Sequence, residues 1–200
     1  MTQVIDYFFG PQSPWTYVGH ERLAAIAAAA GATLRVRPVD LGGKVFPVSG
    51  GLPLGQRPPQ RQAYRLVELR RFADHLGMPL HLKPKFFPVA GDDAARLIIA
   101  VGQQDGAPAA MKIAGAILRA VWAQERNIAD AEELTQLLAE TGLPAERLAQ
   151  SRGPEVQARY DEDTQAAIAA GVFGAPTYMA GGELFWGQDR LDFLQRRLAT

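Results

Sequence analysis

DYFFGPQSPWTY, residues Asp6–Tyr17, packs a strand, a turn and a helix start into twelve residues. With Val4 and Ile5 in front, its first half is a short apolar and aromatic run, the pattern of a strand buried on both faces. Gly10-Pro11-Gln12 stops that strand. Ser13-Pro14 then opens a helix, with serine as N-cap and proline at the first helical position, where the missing N–H costs nothing. A helix start delivered this way offers unpaired amides and a positive dipole end to an anion, a thiolate included. Ser-Pro helix starts are common in proteins without any site, and the stretch alone favours Ser13 as a simple cap.

Outward from this junction the pattern repeats. The first helix runs through the alanine-rich segment to Gly31, a C-cap residue. The alternating, β-branched Thr33–Val39 is a second strand, so the first forty residues form a βαβ unit with parallel strands. Residues 40–59, rich in Gly and Pro, read as a long irregular loop. A helical stretch follows, beginning with an amphipathic helix over Arg61–Leu76 whose apolar face carries Tyr64, Leu66 or Val67, Leu69 and Phe72. Further helices are expected over 92–103, 108–124, 131–141, 143–150 and 154–170. The end of the chain returns to strands: Pro176–Ala180, a Gly181-Gly182 turn, Glu183–Phe185, then a C-terminal helix opened by Gly187-Gln188-Asp189. The fold class is α/β, a thioredoxin-like mixed sheet (βαβ…ββα) with a large all-helical insertion. The division implied is residues 1–60 with 164–200 for the thioredoxin-like part and 61–163 for the insertion.

Composition narrows the chemistry. Lys plus Arg equals Asp plus Glu at 21 each, and apolar residues make up 48%. That balance argues against nucleic acid or an anionic membrane as partner. No run is long enough to cross a bilayer, and no basic-then-apolar leader opens the chain, which points to a soluble, cytoplasmic protein. With no cysteine at all, disulfides, thiolate metal sites and a Cys nucleophile are ruled out. His20, His75 and His81 lack metal-ligand spacing and read as structural residues at the surface or partly buried. Any sulfur chemistry must come from a bound small molecule.

Four motifs then bear a family resemblance: SPWTY at 13–17, WAQERNIAD at 122–130, GVFGAPT at 171–177 and GELFWGQDRL at 182–191. Together, and in order along the chain, they resemble the 2-hydroxychromene-2-carboxylate isomerases. Those are relatives of the kappa-class glutathione transferases and the disulfide-forming oxidoreductases. The resemblance implies a glutathione-dependent isomerisation of 2-hydroxychromene-2-carboxylate to trans-o-hydroxybenzylidenepyruvate, a step of aromatic catabolism, by reversible addition of a glutathione thiolate. It implies that Ser13 stands where thioredoxins carry a redox cysteine. It also implies a cis Pro176 that turns the Ala175 backbone toward a tripeptide, as in strand addition. Gln188 and Asp189 would hold the γ-glutamyl end, with the Asp189 carboxylate on its ammonium.

Trp15, Lys44 and Arg61 are candidates for the substrate pocket, the two cations for a carboxylate; each also reads as core or solvated surface. A homodimer and a small aromatic carboxylate substrate complete the implied picture, with no metal. The competing readings are a kappa-like glutathione transferase or peroxidase, which would consume glutathione, and a non-catalytic thioredoxin-like binding module. Gly10-Pro11-Gln12 before the serine, and Val89-Ala90-Gly91 after Phe87-Pro88, depart from the family pattern.

Overall fold

The computed structural model describes residues 3–199. Strand β1 (Val4–Phe9) lies parallel to β2 (Thr33–Pro38), with Val4 opposite Thr33 and Phe9 opposite Pro38. Helix α1 (Pro14–Ala29) forms the crossover and ends before Gly31, as its sequence predicts. Strand β3 (Thr177–Ala180) runs antiparallel to β1 and pairs with β4 (Glu183–Trp186) across the Gly181-Gly182 turn. The sheet order is β2-β1-β3-β4. β1 is thus an inner strand, which is why its apolar run scarcely alternates. Ile5, Tyr7 and Phe9 join the main core with α1, while Phe8 joins Val39, Ala167 and Val172 on the other face.

Residues 40–59 are more ordered than their glycines and prolines suggest. They hold a wide helical turn (Leu41–Val45), the short α2 (Phe46–Ser49) and a tight turn at Leu54–Gln56. The Asp40 carboxylate nucleates the first of these by accepting from the Gly43 N–H at 2.7 Å. The helical block follows as α3 (Pro59–Leu76), α4 (Asp92–Asp105), α5 (Ala107–Gln124), α6 (Ala131–Glu140), α7 (Glu146–Gln150) and α8 (Pro154–Ala169). α9 (Leu191–Leu198) closes the chain.

The apolar face of α3 needs correction. Leu69 and Ala73 are buried, but Tyr64 is 59% and Val67 44% exposed. α3 packs chiefly against α1, where Phe72 meets Trp15 edge-on at 6.0 Å, and the stripe so covered is narrow. The helical insertion is topological. Leu97, Ile98, Ile113, Ile117 and Trp122 sit in the same core cluster as Tyr7, Val18 and Leu23, and α8 runs unbroken through residues 163 and 164.

Several polar groups in this interior are paired, although Thr16 Oγ1 and the Tyr178 hydroxyl have no partner among the described residues. Arg37 bridges Asp6 at 2.7 Å and the buried Asp163 of α8 at 2.6 Å, tying the sheet to that helix. His20, only 3% exposed, lies between the Tyr7 hydroxyl (3.1 Å from Nδ1) and the Met111 carbonyl (2.9 Å from Nε2). A carbonyl can only accept, so Nε2 carries the proton and the Tyr7 hydroxyl donates to Nδ1. Burial lowers the His20 pKa and raises that of Tyr7. His75 and His81 are exposed.

Candidate functional site

At the end of the sheet where β1 stops and β3 begins, three separate pieces of chain meet. The first is the serine turn. The Ser13 N–H closes it by donating to the Gly10 carbonyl at 3.0 Å. Ser13 takes an extended N-cap conformation (φ −75°, ψ 124°), with Pro14 at the first helical position. Its Oγ accepts the Thr16 N–H at 3.3 Å, and its own proton has no acceptor among the described residues. Capping and anion binding are therefore compatible. One lone pair serves the helix while the O–H remains to donate outward.

The second piece is the Ala175-Pro176 bond, which is cis. Ala175 is half-buried, and neither its N–H nor its C=O bonds to another described residue. Free backbone beside a sheet end is what an added extended peptide needs.

The third piece is the turn after β4. Gly187 (φ +98°, glycine territory) donates its N–H to the Pro176 carbonyl at 2.8 Å, bringing Gln188 and Asp189 to the same end of the sheet. Gln188 is buried, and its side-chain oxygen accepts from Arg22 of α1 at 2.9 Å. A Cβ on Gly19 would lie 2.7 Å from the Gln188 Cβ, so that glycine is what lets the turn sit against α1. Asp189 is exposed and, among the described residues, pairs only with its neighbour Arg190 at 2.9 Å.

The remaining sequence candidates divide. Trp15 is half-buried against Phe72, and Tyr17 is in the core, its hydroxyl donating to the Pro79 carbonyl at 2.8 Å. The Lys44 ammonium is taken by Asp161 of α8, which raises the lysine pKa and lowers that of the aspartate. Arg61 is exposed and forms no ion pair among the described residues.

Sequence reasoning missed the wall beside the serine turn. The Gln12 carboxamide clamps Val89 twice, donating to its carbonyl at 2.8 Å and accepting its N–H at 3.1 Å. The Trp122 indole donates to the Gln12 carbonyl at 3.2 Å, and Phe87, which precedes a second cis proline, packs on Trp122 at 4.7 Å. Above both rings lies the Arg65 guanidinium, 5.5 Å from the Phe87 centroid and 5.6 Å from that of Trp122. Burial and the nearby Arg57 push its pKa down to about 10. Arg57, Arg61 and Arg65 recur at intervals of four, a signal available in the sequence and not used.

Among the described residues, no three His, Asp or Glu side chains gather as metal ligands, and no helix is long and apolar enough to cross a membrane.

Comparison with known proteins adds four findings. Residues 4–199 match the family model described as a DSBA-like thioredoxin domain. The chain is 32% identical over 195 residues to a 2-hydroxychromene-2-carboxylate isomerase of Pseudomonas putida, covering 96% of this chain and 92% of the relative. It is 25% identical over 211 residues to human (Homo sapiens) glutathione S-transferase kappa 1, covering 99% and 92%. A solved 2-hydroxychromene-2-carboxylate isomerase superposes with a TM-score of 0.80 at 27% identity, over 98% of this chain and 94% of that one.

Proposed function

From the premise that the chain belongs to the DSBA-like thioredoxin family, and within it to the 2-hydroxychromene-2-carboxylate isomerases, we propose that it is a glutathione-dependent isomerase of that substrate class. The observation that carries this reading is the Ser13 hydroxyl. In a chain without cysteine, its free proton sits at a helix N-terminus, at the same end of the sheet as the unpaired Ala175 backbone.

The residues present fit the tripeptide. Ala175 has an N–H and a C=O free for an extended backbone, and the exposed Asp189 carboxylate suits an ammonium. Gln188 acts from beneath, its side chain fixed by Arg22 so that the turn keeps its shape. When bound, glutathione supplies the thiol this chain lacks, and its reversible addition allows a carbon–carbon double bond of the substrate to rotate.

Ser13 stabilises the charged sulfur by donating its O–H, and the N-terminal amides of α1 add their dipole. No general base is needed beside it, since the group is held ionised rather than deprotonated during the reaction. The Gln12–Val89 clamp and Trp122 fix the wall against which an aromatic substrate would lie.

The test is turnover of 2-hydroxychromene-2-carboxylate with and without glutathione, followed with a thiol titration. Isomerisation that needs glutathione yet leaves the thiol count unchanged is expected. A falling count means a transferase or peroxidase, and no turnover with no glutathione binding means a binding module. The protein is proposed to act as a homodimer, so light scattering should report twice the 21.7 kDa chain mass; a single chain mass refutes that point.

A further inference from the structure

Cations half-buried without a carboxylate are uncommon, because the desolvation they suffer is returned only by an opposite charge. Arg65 is such a cation. It is half-buried, its guanidinium lies over Phe87 and Trp122, and it forms neither an ion pair nor a hydrogen bond with any described residue. Its charged neighbour is another cation, Arg57, which in turn feels Arg61, and neither of these meets a carboxylate among the described residues. Arg57 is anchored by its Nε donating to the Leu52 carbonyl at 2.8 Å. Elsewhere acids are at hand: Arg71 takes Glu68 on the same helix, and Arg126 takes both Glu133 and Glu140.

The group is also well placed. Trp122, on which Arg65 rests, donates to the carbonyl of Gln12, the residue before Ser13.

We propose that Arg65, reinforced by Arg57 and Arg61, is the seat for the carboxylate of a small aromatic acid, the substrate turned over beside Ser13. The planar guanidinium fork matches a carboxylate with two parallel hydrogen bonds, and the two rings hold that plane in place. The two flanking arginines raise the local positive potential, which favours anions over neutral aromatics. The identity of the acid as the isomerised substrate rests on the function proposed above; the anion seat itself does not. A carboxylate could also arrive as the glycyl end of glutathione, and the experiment separates the two.

Calorimetry on the full chain would use trans-cinnamate as the aromatic carboxylate probe, cinnamide as its uncharged counterpart, and glutathione. Binding of cinnamate but not cinnamide is expected for the unsubstituted protein. Arg65→Met should weaken cinnamate at least tenfold, about 1.4 kcal/mol, while glutathione affinity stays within about twofold. Arg65→Lys, which keeps the charge and loses the fork, should fall between. It decides the matter if circular dichroism shows that the methionine variant does not fold.

Cinnamate affinity that survives both substitutions overturns the proposal, as does failure of the unsubstituted protein to bind cinnamate. Loss confined to glutathione assigns Arg65 to the tripeptide and overturns it too. Cinnamate binding through Arg65 in a protein that ignores glutathione would uphold the anion seat and reject the glutathione reading.

Discussion

Replacing Ser13 by alanine should raise the thiol pKa of bound glutathione by roughly 1–2 units. The Ser13 Oγ already accepts the Thr16 N–H at 3.3 Å, so its one remaining contribution to a sulfur anion is a donated O–H. A hydrogen bond to a charged group is worth about 1.5–3 kcal/mol, and about 1.4 kcal/mol corresponds to one pKa unit. The dipole of α1 survives the substitution and keeps about 0.3–1 kcal/mol of thiolate stabilisation, so the pKa should stop short of its free value near 8.5. At neutral pH the thiolate fraction, and activity with it, should fall roughly tenfold and recover as pH rises past the new pKa. The lost cap costs about 0.5–2 kcal/mol of stability, toward the lower end because the bond it removes is long. Ultraviolet titration of the thiolate on the bound tripeptide, in parent and variant, measures the shift directly. A titration midpoint unchanged in Ser13→Ala, with the variant folded and glutathione bound, refutes the role given to this hydroxyl.

Other consequences are open to measurement. Asp189→Asn should weaken glutathione roughly two- to fivefold, and the loss should shrink in high salt because the carboxylate is exposed; calorimetry at two ionic strengths checks it. His20 has a folded-state pKa below its unfolded value near 6.5, so the unfolded chain binds more protons between the two. Stability should therefore fall as pH drops below about 6.5 and level off beneath the folded pKa, and melting temperatures of His20→Asn should show a flatter slope over that window. Asp163→Ala should cost about 1.5–3 kcal/mol in denaturant unfolding, since it strips Arg37 of one charged partner while Asp6 remains. Gly19→Ala, which drives a methyl group into the Gln188 side chain, should lower glutathione affinity more than it lowers the melting temperature.

What could be read from the sequence was local. Gly10 to Pro14 encode a strand end, a turn and a capped helix within a few residues, and each is where its residue types put it. The Gly181-Gly182 hairpin and the turn into Gln188 are likewise set by neighbours in the chain. The outer surface of α3 was not legible, because helical periodicity marks an apolar stripe but not whether anything covers it. Tyr64 and Val67 follow the period and still face solvent. Residues 40–59 were hidden for a different reason. Their glycines and prolines break long helices yet permit single turns, and the Asp40 side chain suffices to start one. Arg65 was least visible of all, since an arginine on a helix reads as surface until the rings beneath it are known.

The core that joins Trp122 and Ile117 to Tyr7 and Leu23 bears on how this scaffold can be altered. A grafting experiment that excised α3 to α7 and tied the ends together would leave α1 naked along one side and take away the floor under Gln12. The product should be an insoluble remnant rather than a minimal enzyme. New specificities should therefore be sought by exchanging single side chains at the rim, with the helical block kept as an indivisible part of the catalytic half.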